Sequence, residues 1–317
     1  MTLTLTTMIF DIVLIVLGVA MVLGGADRLT EGAASLARRM NVPEIIIGLT
    51  IVAAGTSAPE LFVSLVSALK GTPEMAMGNV IGSNTMNAML IVGCAAMVAP
   101  MTISKSTVKK DIPFSVGASV LLMLIGIDAF LGRIDGILLL LGFVAFMYYT
   151  LSQAKKGEVE KKEETVKQTN PWLSSLFVIV GLALLVAGSN IFVDAASRVA
   201  YSLGLSEGVV GLTIVAGGTS LPELATSVVA ARKGQSSIAI GNVIGSNVFN
   251  ILLILGLTAT ISPMQIQGIT LVDMGMMLGS VSLVWLFSYT RYTVERWEGA
   301  LLVGGYLVYL GWLLSNV

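Results

Sequence analysis

Apolar residues run through this chain in long blocks separated by short polar connections, with no sustained alternation of apolar and polar positions. A helix crosses a hydrocarbon layer of about 30 Å in roughly 20 residues. Ten blocks of suitable length are predicted, at approximately 8–26, 43–69, 75–99, 114–130, 134–151, 171–199, 207–231, 237–261, 270–289 and 298–315. Inside a bilayer each segment has to satisfy its own backbone N–H and C=O groups, so these blocks read as helices. The first lacks a basic leader and a small-residue cleavage site, and reads as a retained helix and not as a signal peptide.

Composition agrees with a polytopic membrane protein. Hydrophobic residues make up 55% and charged residues 12% of the 317, against roughly 25% charged in soluble domains. Histidine is absent, which excludes histidine metal sites, Ser-His triads and histidine proton relays. No nucleophile–base pair is visible, so an enzyme is not expected, and nothing points to nucleic acid. The lone Cys94 lies in an apolar run and reads as packing. Net charge is −1, and only its distribution is informative. Threading ten helices places 15 of the 18 lysines and arginines on one side of the membrane and Lys70, Arg133 and Arg198 on the other. The positive-inside rule then puts both termini on the extracytoplasmic side.

The segment 48–93 (GLTIVAAGTSAPELFVSLVSALKGTPEMAMGNVIGSNTMNAMLIVG) recurs at 211–256 (GLTIVAGGTSLPELATSVVAARKGQSSIAIGNVIGSNVFNILLILG), with 29 identities in 46 positions. Each half holds five predicted helices. An odd number of crossings inserts the second copy upside down, an arrangement that recurs in secondary transporters with the substrate at the interface between repeats. The predicted organisation is an all-α integral membrane protein of two inverted five-helix repeats, 1–151 and 171–317. A charged stretch without aromatic residues, 152–170, links them on the cytoplasmic side and is too short for a folded domain.

Both repeats carry G-T-S-x-P-E within an apolar helix: Gly55, Thr56, Ser57, Pro59, Glu60 and Gly218, Thr219, Ser220, Pro222, Glu223. Proline removes a hydrogen bond and clashes with the carbonyl four residues back, so each helix should break there and free carbonyls around Thr56 and Thr219. An acidic side chain at the bilayer centre costs about 2.5–3.5 kcal/mol or more, and neither repeat supplies a basic partner. Carbonyls, hydroxyls and carboxylates together form a hard-oxygen donor set suited to sodium and calcium. The next helix carries G-N-V-I-G-S-N-x-x-N. Its Asn79, Ser83 and Asn87, and likewise Asn242, Ser246 and Asn250, recur every four residues and share one face. The simplest assembly sets these faces against the two breaks as an oxygen-lined cage. Gly78 with Gly82, and Gly241 with Gly245, are small-residue pairs that permit close helix contact. Asp27, Arg28 and Glu31 read as a surface cluster, Asp128 and Asp273 as helix-end residues, and Met274 to Met277 as packing or lipid contact.

The paired G-T-S-x-P-E and G-S-N-x-x-N motifs resemble the two alpha-repeats of the sodium/calcium exchanger family, within the calcium/cation antiporter superfamily and of prokaryotic type. That resemblance implies a ten-helix antiporter working by alternating access, with calcium between the two glutamates and no cofactor. It implies calcium ligation by Glu60, Glu223 and the carbonyls of Thr56 and Thr219. Sodium would add the carbonyls of Ala53 and Ala216 and the hydroxyls of Ser57, Ser83, Ser220 and Ser246, with Asn87 and Asn250 lining the centre. Potassium-dependent relatives place aspartate where this chain has Asn250, so potassium independence is expected. Absence of a large central loop points to a prokaryotic inner membrane protein, and a monomer can suffice. The first and sixth helices, with Gly18, Gly24, Gly25, Gly181 and Gly188, are the expected gating pair that slides past the core. A proton/calcium antiporter and a cation channel remain as alternatives.

Overall fold

The computed structural model describes residues 5–72, 74–156, 171–204, 210, 214, 216–266 and 269–315. Its helices are α1 (Leu5–Met40), α2 (Glu44–Thr56), α3 (Ala58–Leu69), α4 (Met75–Val98), α5 (Ile112–Ile125) and α6 (Arg133–Lys156) in the first half. The second half supplies α7 (Pro171–Ser202), α8 (Ala216–Thr219), α9 (Leu221–Arg232), α10 (Ser236–Ile261), α11 (Leu271–Arg291) and α12 (Arg296–Ser315). Among the described residues seven helices are long and apolar enough to cross a bilayer, or eight if the bent pair α2 and α3 is one span. The block expected over 114–130 forms the 14-residue α5, extended at its start by one wide turn over Thr107–Asp111. Most of residues 207–215, the start of the block expected over 207–231, and residues 157–170 of the expected linker lie outside the described residues. The linker boundary also moves, because α6 continues to Lys156.

Where each helix sits follows the inverted logic of a membrane. The most apolar helices are outermost: α1 exposes Ile9, Phe10, Val13, Val16 and Leu17, and α7 exposes Leu176 and Ile179. The helices carrying asparagine and serine are enclosed, and every residue of α10 from Ile238 to Val248 is buried. Polar groups in hydrocarbon are tolerated only where they face protein or a cavity.

Against the expectation of glycines sliding past the core, the glycines of α1 and α7 face one another. A Cβ on Gly18 would come within 2.8 Å of the Gly188 carbonyl oxygen, and one on Gly25 within 2.8 Å of that of Gly181. Gly32 would meet Ser174 in the same way, at 2.7 Å. Residue numbers rise on one helix as they fall on the other, so the pair runs antiparallel with backbones in contact. Gly24, by contrast, has nothing within 4 Å among the described residues. One end of the pair is closed by Arg198, whose Nη2 donates to the buried Asp11 carboxylate at 2.7 Å. The other is closed by the hydroxyls of Ser35 and Ser174, 2.7 Å apart.

The fold is not wholly helical. Two antiparallel pairs of two-residue strands join the halves at opposite ends of α5: β1 (Met101–Thr102) with β4 (Thr293–Val294), and β2 (Phe130–Leu131) with β3 (Met264–Gln265). Ion pairs also link residues far apart in the chain: Lys233 bridges to Asp27 and Arg198 to Asp11, both at 2.7 Å. Arg28 pairs with Glu31 at the surface. Asp273 completes a capping box with Thr270 at the start of α11, while Met274 and Met277 are buried packing residues.

Candidate functional site

Two helix breaks build the site. Pro59 and Pro222 stand second in α3 and α9, a position where the missing N–H is tolerated. Ser57 and Ser220 occupy the joints, with φ −81° and ψ 8°, and φ −89° and ψ 8°. The axes of α2 and α3 differ by 46°. Proline at 222 leaves the Gly218 carbonyl without its intrahelical donor, and the Ser189 hydroxyl of α7 supplies one. A side chain at Gly55 would collide with Leu182 of α7, and one at Gly218 with Val193. Glycine at both positions is what lets the breaks lie against α7.

Just past each break, Glu60 and Glu223 are both 1% exposed. Their partners come reciprocally from the opposite half. Ser57 Oγ donates to Glu223 Oε1 at 3.0 Å, and Ser220 Oγ donates to Glu60 Oε1 at 3.1 Å. Ser220 Oγ also lies 3.2 Å from Ser83 Oγ. Thr219 stands beside Glu60, and Thr56 and Ser246 beside Glu223. Within the described residues the Oε2 atom of each glutamate has no hydrogen-bond partner. Among the described residues no lysine or arginine pairs with either carboxylate.

Asparagines of α4 and α10 brace this pair. Asn79 Nδ2 donates to the Glu60 carbonyl and to Ser64 Oγ, at 3.3 and 3.2 Å. Asn242 Nδ2 does the same for the Glu223 carbonyl and Ser227 Oγ, at 3.3 and 3.0 Å, while its Oδ1 accepts from Thr56 at 3.0 Å. The two bonds of each amide nitrogen, to a glutamate carbonyl and to a serine, are counterparts 163 residues apart, the offset at which Asn84 itself meets Asn247. Beyond them, Asn87 and Asn250 are both 1% exposed and lie at the start of wide π turns, Asn87 first in Asn87–Ile91 and Asn250 second in Phe249–Leu255. Such turns are rare and concentrate at functional sites.

The structure thus gathers Glu60, Glu223, Ser57, Ser220 and Ser83 by direct hydrogen bonds, with Thr56, Thr219 and Ser246 alongside. The Ala53 carbonyl already accepts from the Ser57 N–H at 3.0 Å. Ala216 opens α8. Of the small-residue pairs, Gly241 and Gly245 pack tightly on Gly48 and Leu49. Among the described residues Gly78 meets Ile269, at 3.7 Å, and Gly82 has no atom within 4 Å. Sequence reading missed Asn84, Asn247 and Ser189. The third residue of G-S-N was a usable signal for the first two.

A multi-pass helical fold with two buried, cross-braced carboxylates at helix breaks defines a membrane transporter. The particular kind follows from its relatives. The family model for the sodium/calcium exchanger protein matches residues 10–152 and 173–315, and the chain belongs to that family of cation/calcium antiporters, not to the enzymes. It is 36% identical to the inner membrane protein YrbG of Escherichia coli over 317 residues, 96% of this chain and 97% of the relative. Identity to the sodium/calcium exchanger MaX1 of Methanosarcina acetivorans is 32% over 340 residues, 95% of this chain and 97% of the relative. Among solved structures, the sodium-calcium exchanger NCX_Mj soaked with 2.5 mM Na+ and 0.1 mM Ca2+ superposes with a TM-score of 0.84. Identity there is 31%, covering 96% of this chain and 98% of that one.

Proposed function

We propose that this protein exchanges sodium for calcium across a bacterial or archaeal inner membrane by alternating access, without potassium. One observation carries the reading: Glu60 Oε2 and Glu223 Oε2 are buried and, among the described residues, unpartnered and unopposed by any basic group. An uncompensated pair of buried carboxylates is far too costly to persist and calls for a mobile cation or a proton, and the hard oxygens around the pair favour the metal cation. One calcium ion neutralises both charges, held by Glu60 and Glu223 with the carbonyls of Thr56 and Thr219. Sodium ions use overlapping oxygens, adding the carbonyls of Ala53 and Ala216 and the hydroxyls of Ser57, Ser83, Ser220 and Ser246, around the amides of Asn87 and Asn250. Because the oxygens are shared, the two loads exclude each other, and exchange follows from that exclusion.

Ten crossings in two inverted halves, 1–151 and 171–317 around a cytoplasmic linker, with both termini extracytoplasmic, fit this reading. The basic connections and the offset of 163 support it. Neutral Asn250 leaves the cage with two formal charges, which favours potassium independence. The test is calcium-45 uptake into sodium-loaded proteoliposomes diluted into sodium-free buffer, with and without potassium. Saturable uptake that collapses without the sodium gradient and ignores potassium is expected. Uptake driven equally by an imposed proton gradient, or a saturable potassium requirement, would overturn it.

A further inference from the structure

Asn87 and Asn250 can serve a cation only if they present oxygen to it. The two ends of a primary amide are nearly the same size, so shape alone does not choose between C=O and NH2. The choice falls to whatever binds the other end. Asn250 Nδ2 donates to Asn84 Oδ1 at 3.0 Å. Asn84 offers that oxygen because its own Nδ2 is committed to the backbone carbonyl of Asn247, at 3.2 Å. A backbone carbonyl only accepts, so it fixes the Asn84 amide, and Asn84 in turn fixes Asn250. Across the pseudo-symmetric arrangement, Asn87 Nδ2 donates to Asn247 Oδ1 at 3.1 Å. What remains are the Oδ1 atoms of Asn87 and Asn250, both buried and, among the described residues, without a partner.

We infer that Asn84 and Asn247 are positioning residues that hold the amides of Asn250 and Asn87 oxygen-inward, so that the cage meets its cations with neutral oxygens. This rests on the proposed cation cage. Released from Asn84, the Asn250 amide turns freely. Its NH2 end can then face the cage, where its donors repel cations. Asn84 and Asn247 touch no ion themselves. Their effect passes entirely through their neighbours, which separates them from ligands and from packing residues alike.

That dependence is measurable as a double-mutant cycle. Sodium-driven calcium-45 uptake is compared in proteoliposomes for the native chain, Asn84→Leu, Asn250→Ala and the double variant, with fold checked by elution in detergent. Asn84→Leu is expected to raise half-saturating calcium about tenfold, the scale of one lost hydrogen bond to a charge-binding group, with a smaller change in maximal rate. Added to Asn250→Ala, the same substitution should cost nothing more. Additive losses, or unchanged half-saturation in Asn84→Leu, would overturn the inference. Should Asn84→Leu misfold, Asn84→Ser carries the same cycle with a smaller insult, and additivity there is equally decisive. Glu60→Gln distinguishes the two levels. If it abolishes uptake while the cycle is additive, the cage stands and the positioning role falls; if it transports normally, the cage itself falls.

Discussion

Glu60 and Glu223 each bind a serine of the opposite half through one oxygen and keep the other free, so each contributes half the charge of a site that neither half completes alone. Glu60→Gln and Glu223→Gln are near-isosteric and keep an oxygen on the serine. Breaking a buried charge pair costs about 3–5 kcal/mol, or more than about a hundredfold. Each variant is therefore expected to lose calcium uptake in proteoliposomes by at least that factor while eluting normally in detergent. Near-native uptake by either would remove both glutamates from the site. At this scale the sequence was readable wherever helical spacing did the selecting. A step of four gathers Asn79, Ser83 and Asn87 onto one face, and Asn79 and Ser83 do meet the break region. The same step passes over Asn84, whose partner is 166 residues away in the chain. Asp11 and Arg198, 187 residues apart, were illegible for the same reason.

Among the elements, the α1 and α7 pair shows how a glycine pattern can be read correctly as close approach and wrongly as to its partner. Glycine marks a backbone contact but does not name the other surface. Gly25 and Gly24 are adjacent on α1 and provide an internal comparison. Alanine at 25 would press on the backbone of Gly181 and Leu185, at 2.8 and 2.9 Å, whereas alanine at 24 meets nothing. Gly25→Ala should lower thermal stability in detergent by about 1–3 kcal/mol through overpacking. Gly24→Ala should be neutral or stabilise by up to about 1 kcal/mol, because alanine is the better helix former. Equal melting temperatures for the two variants would contradict the close pairing of these helices. The broken helices were legible because proline acts locally. The wide turns at Asn87 and Phe249 were not, since no single residue type dictates an extra residue in a helical turn.

At the level of the whole molecule, charge counting sorts the connections onto two expected sides, and the strand pairs and the Lys233–Asp27 ion pair each join connections expected on the same side. What the count could not foresee was that β1–β4 and β2–β3 would stitch the first half to the second at both ends of α5. Together with the reciprocal serine–glutamate bonds and the glycine seam of α1 and α7, these stitches make the interface between the halves part of each half's own architecture. The peptide link between residues 156 and 171 is then dispensable for cohesion. Two separate genes, one ending and the other beginning within 157–170, should yield polypeptides that find each other in the membrane. Co-expressed, with an affinity tag on only one piece, they are expected to copurify in near-equal amounts and to restore calcium uptake, while either piece expressed alone is inactive. Failure of the untagged piece to follow its partner would mean that the covalent join, and not this interlocking, is what keeps the two halves in register.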